Sequence, residues 1–386
     1  MFPSLKRANK QHAAPGQTSG ADGQVTRNLP IRRMPFPHEM VVKLSQHTGA
    51  PAQPLVRVGQ EVVRGEPIAR ASGFVSIPMH APATGEIMRI GSTPGAQSSN
   101  ATEIALRVYP GASQEVLYGG TINLTTLAPR QLLHAIQAAG IPGYGPNALP
   151  LHVQLCPPIG QTIDTLIIVA HDHDPVFSIV HRTAIESASA IQTGIDVLLR
   201  ATGARRAIVV ADDRDPELMK ALKTPFPLGP VFEHVPQHFA YPVTDVTLVK
   251  ELLGRDVPAD NIPAFVNASV VNVVSIAQIG KLIPKGEGLI EQAVTVTGNG
   301  LEKPGNYLIP LGTTLRFILE QVHAAPAGVD VHLDGQTTGL RADSLDAPLT
   351  KGISGIVVMQ KKNGNARVSL YTRLFNSRKP ANRGGN

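Results

Sequence analysis

At 386 residues the chain exceeds what one small core can organise, so it should divide into two to four compact units. Hydrophobic residues make up 42% and charged ones 17%, with 36 Gly and 33 Pro, a composition that fits a soluble protein of turns and short strands and leaves little room for long helices. A single cysteine, Cys156, excludes intrachain disulfides and any zinc or iron–sulfur site made from several thiols of one chain, and a net charge of +6 with 10 Phe, 6 Tyr and no Trp argues against nucleic acid as a partner.

Residues 1–26 carry Lys6, Arg7 and Lys10 among Gly, Gln, Ser and Ala, without the apolar centre of a signal peptide, and are expected to form a disordered arm in a cytoplasmic protein. From Pro35 to Val108 short apolar runs alternate with glycines and prolines, as in Val58-Gly59-Gln60-Glu61-Val62-Val63-Arg64-Gly65 and Met79-His80-Ala81-Pro82-Ala83-Thr84-Gly85. Glycine supplies the positive φ that tight turns between strands need. The pattern predicts a barrel-sandwich hybrid over 27–115, the fold of biotinyl and lipoyl carriers. Carriers need a lysine on the hairpin joining their two halves; none occurs between Lys43 and Lys220, so no swinging arm can be attached.

Residues 120–258 change character and predict a Rossmann-like α/β domain. Thr165-Leu166-Ile167-Ile168-Val169 and Ala207-Ile208-Val209-Val210 read as buried parallel strands, and residues 183–202 as a helix stopped by Gly203. Ligands of such sheets sit beyond the strands' carboxyl ends, here residues 170–175 and 211–216. The apolar run 265–283 contains Asn267, Asn272, Ser275, Gln278 and Lys281, too many polar groups for a membrane helix. Residues 259–360 predict a β-grasp-like unit, with Val294-Thr295-Val296 as strand and residues 314–322 as one amphipathic helix. Residues 361–386, with Lys361, Lys362, Arg378, Lys379 and Arg383, are expected to be a basic tail, for which a membrane-surface contact ranks behind simple solvation.

Three stretches together resemble RnfC, the nucleotide-side component of Rnf-type electron-transport complexes. The first runs from Leu29-Pro30-Ile31-Arg32 through Gln46-His47-Thr48-Gly49-Ala50-Pro51 to Ser72-Gly73-Phe74-Val75-Ser76 and His80-Ala81-Pro82. The second is Gly140-Ile141-Pro142-Gly143-Tyr144-Gly145 with Leu149-Pro150-Leu151-His152. The third is Val294-Thr295-Val296-Thr297-Gly298-Asn299-Gly300 with Lys303-Pro304-Gly305-Asn306, then Thr350-Lys351-Gly352-Ile353-Ser354-Gly355. The resemblance implies a barrel-sandwich hybrid, a Rossmann-like domain related to the flavin subunit of respiratory complex I, and a soluble-ligand-binding β-grasp. It also implies a peripheral subunit at the inner face of the cell membrane that works with other redox-complex subunits, uses FMN and NADH, and passes electrons between NADH and ferredoxin-linked carriers.

Departures from the family pattern shape the functional expectation. The family's flavin loop resembles Gly-x-Gly-Gly-Ala-Gly-Phe-Pro-Thr-x-x-Lys; Gly143, Gly145 and Pro150 match, whereas Pro146, Asn147, Ala148, Leu149, Leu151 and Gln154 replace the rest. Proline removes an amide donor and Gln154 carries no cation, so impaired flavin binding is expected. The family's Asn-Gly-Ala-Glu-Cys-Glu-Pro stands here as Val169-Ala170-His171-Asp172-His173-Asp174-Pro175, keeping carboxylates at Asp172 and Asp174, and a third loop shrinks to Tyr241-Pro242-Val243-Thr244-Asp245. The family's cysteine-rich domain should follow Thr350-Lys351-Gly352, but no cysteine lies between there and Asn386, so no iron–sulfur cluster is expected. By resemblance the cofactor-side positions are Gly143, Gly145, Asn147, Asp172 and Asp174.

Read from the residues alone, His171-Asp172-His173-Asp174 is first a polar loop that satisfies backbone groups. Its sharper reading is a metal site in which His171 and His173 join a carboxylate or one of His152, His181 and His234. In Asp212-Asp213-Arg214-Asp215-Pro216 a helix N-cap outranks a ribose or metal contact, and Cys156 is expected to be inert. No catalytic residue is assigned. Within the resemblance, a docking scaffold is placed ahead of a working NADH-side electron-transfer subunit, with a metal-binding protein third.

Overall fold

The computed structural model describes residues 22–91, 102–143, 149–236, 244–335 and 339–361. The described chain opens on a short helix, α1 (Asp22–Arg27), and strand β1 (Ile31–Arg33). Residues 22–26, expected to belong to a disordered arm, are helical instead. Thr26 is fully buried and its hydroxyl bonds Ser178 at 2.7 Å, while Arg27 pairs with Asp215, and these tertiary contacts outweigh a polar local sequence. Strand β1 also leaves the barrel to which it was expected to belong and joins a sheet from the far end of the chain, register Ile31 to Asn306.

The barrel-sandwich module packs one sheet of β2 (Glu39–Lys43), β8 (Glu103–Val108), β7 (Gly85–Gly91) and β4 (Glu61–Val62), in that order, against another of β3 (Gln53–Pro54), β5 (Pro67–Arg70) and β6 (Met79–His80). All pairings are antiparallel, so alternate side chains turn inward, as Met40 and Val42 do on β2. The hairpin tip that would present a swinging lysine is pinned instead. Gln137 Nε2 donates to the carbonyls of Gly73 and Ser76 at 3.0 Å, His152 Nε2 donates to Phe74 O at 2.6 Å, and the Phe74 and His152 rings meet edge to face.

The α/β module comprises α2 (Pro129–Ala138), α3 (Leu151–Gln154), β9 (Thr165–Val169), α4 (Ile179–Glu186), α5 (Ala188–Thr202), β10 (Arg206–Ala211), α6 (Pro216–Lys223), β11 (Phe232–Pro236), α7 (Asp245–Leu253), β12 (Ala268–Asn272) and α8 (Val273–Leu282). Its sheet runs β11-β10-β9-β12, all parallel. Ile168, Val209 and Val271 face the α5 and α8 side, and Ile167, Ile208 and Val270 face Leu248 and Val249 of α7, which explains strands that are apolar throughout. The expected helix 183–202 is two helices, because Ser187 leaves helical geometry (φ −125°, ψ 26°). Gly203, at φ 75°, closes α5 with its N–H on Leu199 O.

The expected boundary at 258/259 moves downstream, because β12 and α8 belong here. Strand β9 needs a neighbour on each edge, and β12 supplies the second. The apolar run 265–283 is thus a strand and a helix joined at Asn272, and among the described residues no helix is long and apolar enough to cross a membrane.

The last module is a mixed sheet, β1-β14-β13-β17-β15-β16, formed with β13 (Glu291–Thr297), β14 (Gly305–Pro310), β15 (Val329–Leu333), β16 (Leu340–Arg341) and β17 (Gly355–Gln360). β13 and β17 run parallel at its centre. Helix α9 (Leu315–Gln321) covers one face through Leu315, Ile318 and Leu319, and Thr314 caps it by accepting from Phe317 N.

Candidate functional site

Parallel sheets expose their ligand-binding edge where the strands end, here after Val169 on β9, Ala211 on β10 and Asn272 on β12. Asp172 lies in the first of these loops, but its carboxylate turns inward. It accepts from Val180 N at 2.9 Å and His181 N at 3.3 Å, capping the first turn of α4. Burial pushes its carboxyl up to about 6 despite those two amides. The folded state then holds more protons than the unfolded one between 3.8 and about 6, so the stability this group contributes is present below that window and is lost as pH rises through it. Asp172→Asn should therefore gain on the wild type by about 2 kcal/mol between pH ~4 and pH ~7.5. Parallel denaturant titrations at the two pH values measure this, and a constant difference would contradict it.

Asp174 makes a turn, accepting from Val176 N at 3.1 Å. His171 Nδ1 donates back to Asp172 O at 3.1 Å, whereas His173 Nε2 donates to Asp334 O at 3.1 Å in the last module, with its ring against Phe177. The path of the loop turns one ring back on Asp172 and sends the other across to Asp334, so the two histidines do not share a focus. The third ligands considered from sequence are engaged elsewhere: His152 on Phe74 O, His181 beside Asp215 at 2.8 Å, and His234 on Phe226 O at 2.7 Å. Among the described residues no group of three or more metal-ligating side chains comes together. Asp215 takes the N-cap role, accepting from Leu218 N at 3.1 Å with Pro216 at the first helical position. Cys156 is half-buried and burial pushes its thiol up, away from the reactive thiolate.

Gly143 belongs to the stretch that resembles the family's flavin loop. Its N–H donates to Leu149 O at 2.8 Å, and the Gln154 amide lies so close to its Cα that a Cβ there would collide with it. Gly145 and Asn147, with Tyr144, Pro146 and Ala148, fall outside the described residues, as do Tyr241, Pro242 and Val243.

The residue that sequence reasoning missed is Asn272. It is 5% exposed, its Oδ1 accepts from Val274 N at 2.7 Å in the first turn of α8, and its Nδ2 has no hydrogen-bond partner among the described residues. A buried donor left unsatisfied costs about 1–3 kcal/mol, so it suits a position that a ligand completes. An asparagine between a strand-like and a helix-like run was the available signal. A groove of about 430 Å³ lined by Arg206, Leu228 and residues 229–234 lies at the opposite, amino-terminal edge of β10 and β11.

Two of the three modules match known domain families. Residues 16–108 match the RnfC barrel-sandwich hybrid domain, and residues 136–281 match the Nuo51 FMN-binding domain, which extends through α8 as the sheet does. The chain is 29% identical to the C subunit of the proton-translocating ferredoxin:NAD(+) oxidoreductase complex of Clostridium ljungdahlii, over 88% of this chain and 75% of the relative. It is 30% identical to the C subunit of the ion-translocating oxidoreductase complex of Pseudomonas aeruginosa, over 88% of this chain but 44% of that one. Among solved structures, a chain of an NAD+-reducing [NiFe]-hydrogenase shares the fold over 61% of this chain, at a TM-score of 0.51 and 18% identity. The two domain matches, and similarity to C subunits of ion-translocating oxidoreductase complexes through nearly nine-tenths of its length, make this chain similar to RnfC.

Proposed function

We propose that this chain is the nucleotide-side peripheral subunit of an Rnf-type electron-transport complex, with FMN bound at the carboxyl edge of its α/β sheet. The observation that carries the reading is Asn272, whose buried, unpartnered Nδ2 stands at the amino end of α8, where backbone amides and the helix dipole favour a phosphate. Asn272 and the first turn of α8 fit the phosphate-bearing end of such a ligand. When bound, the flavin supplies hydride acceptance from NADH and single-electron release; this chain's part is to hold and orient it. Partners are the other subunits of the complex, at the membrane surface. The last module reads as β-grasp-like, supported by its hairpin, helix and second strand pair around a central parallel pair.

A docking scaffold without flavin is the second reading, favoured by Gln154 covering Gly143. One titration separates the two. FMN added to the purified protein should bind, shown by quenched flavin fluorescence, and bleach on adding NADH. Asn272→Asp retains the acceptor that caps α8 but replaces the Nδ2 donor with negative charge, so in variant protein that still melts cooperatively it should weaken FMN at least about tenfold. FMN left unbound by folded wild-type protein would favour the scaffold.

A further inference from the structure

Lys351 is 2% exposed and sits where the three modules meet. Its Nζ donates to Pro78 O of the barrel at 2.8 Å and to Gly140 O of the α/β module at 2.9 Å, and its own amide donates to Gln46 Oε1 at 2.9 Å. His80 stands beside it: Lys351 Nζ lies 2.5 Å, and His80 Cε1 3.8 Å, from the point a Cβ on Gly140 would occupy. His47 and His152 close the same junction, the first on Ala50 O and the second on Phe74 O. In all three imidazoles Nδ1 has no hydrogen-bond partner among the described residues.

The groups facing one another here are Gln46, His47 and His80 from the barrel, His152 with His134 behind it from the α/β module, and Lys351 from the last module. Gly288 packs on the His80 ring, and its neighbour Glu287 faces Lys285 at 4.0 Å instead. The charges acting on the imidazoles are cationic, Lys351 and His152 on His47, Lys351 on His80 and His134 on His152, and no carboxylate is among them.

We propose that this junction is a proton-controlled latch: the modules close around neutral imidazoles, and acid that protonates them releases the barrel hairpin from the α/β module. A second positive charge beside Lys351, away from water and without a counter-charge, is strongly disfavoured. Burial accordingly holds His80 down at about 3, and burial also lowers His47 and His152. Opening returns each imidazole to its ordinary 6.5, so the open form binds more protons between 6.5 and the depressed values. Closure is therefore fully favoured above that window and weakens as pH falls through it. Lys351 acts with the same sign at higher pH, since burial lowers it from 10.5 to about 7.

Hydrogen exchange of the full chain at about pH 7.5 and about pH 5, corrected for intrinsic rates, tests the latch. The amides of Ala50, bonded to Val75 O of the tip, and of Lys351, bonded to Gln46 across the junction, should lose protection at least about tenfold relative to β9 and β10 on acidification. In a His47→Gln, His80→Gln, His152→Gln variant the change in that ratio between the two pH values should shrink to the smaller part that Lys351 supplies. A wild-type ratio that does not change with pH overturns the proposal, even where the variant fails to fold, and so does an unaltered pH dependence in a folded variant.

Discussion

Gly280→Ala is expected to destabilise the protein by about 3 kcal/mol, although the same change in an isolated helix would stabilise it by about 1 kcal/mol. Helices α5 and α8 cross with their backbones in contact. A Cβ on Gly280 would run into the carbonyl oxygen of Ala190, with Ala190 C at 2.7 Å and Gly194 N at 2.8 Å, and a Cβ on Gly194 would meet the carbonyl of Ile276 in the same way. Backbone cannot rotate aside as a side chain can. The helices must part, and Ile191, Ile195, Ile276 and Ile279, all buried at this crossing, lose contact with each other. Packing therefore decides the sign against helix propensity. The urea midpoint of the variant measures it, and a midpoint equal to or above the wild type's would show that the helices do not approach so closely.

Asn306→Ala is the second large loss, again about 3 kcal/mol or more, and it should be local in its first consequence. Asn306 is fully buried and makes four bonds: Oδ1 accepts from Thr295 Oγ1 at 2.7 Å and Ser178 Oγ at 3.1 Å, and Nδ2 donates to Thr26 O at 2.8 Å and Leu29 O at 3.0 Å. One side chain thus holds the amino-terminal strap, the start of α4 and the last sheet together. Removing it takes one bond from each of two carbonyls and two hydroxyls; Thr26 O keeps the Leu29 amide, while the Thr295 and Ser178 hydroxyls are each left with fewer partners in a buried setting. Limited trypsin digestion should cut after Arg27 in the variant well before the wild type, alongside a lowered melting temperature. Equal resistance of the two proteins at that bond would remove Asn306 as the strap's anchor.

Asn306 illustrates how unevenly the chain could be read. The Lys303-Pro304-Gly305-Asn306 stretch marks the family resemblance, yet the partners of Asn306 at Thr26 and Leu29 are 280 and 277 residues away. Asp172 and Asp174 were legible as a polar loop at a strand's end, but a carboxylate aimed at a helix amide and one aimed at a ligand have the same local sequence. In the folded chain the Asp172 carboxylate meets the amides at the start of α4. His171 and His173 suggested convergence because they are two apart, whereas the loop's path sends one back to Asp172 and the other across to Asp334. Asn272 was hidden inside an apolar run whose division into strand and helix depends on β12 pairing with β9.

By itself the sequence determined the features set by local chemistry. Apolar β-branched runs specified β9 and β10, Gly203 stopped α5, Thr314 began α9, Asp215 with Pro216 capped α6, and the absence of lysine between Lys43 and Lys220 ruled out a carrier arm. Each rests on a backbone preference or a bond spanning a few residues, so a short window holds all the information. Only the tertiary structure decided the assignment of β1 to the last sheet, the extension of the α/β module through α8, the placing of Asn272's donor at the carboxyl edge, and the placing of Lys351 on carbonyls 273 and 211 residues distant. Those outcomes depend on which buried polar group finds a partner when separate elements pack, and the cost of leaving such a group unmatched is what selects among arrangements that local sequence permits.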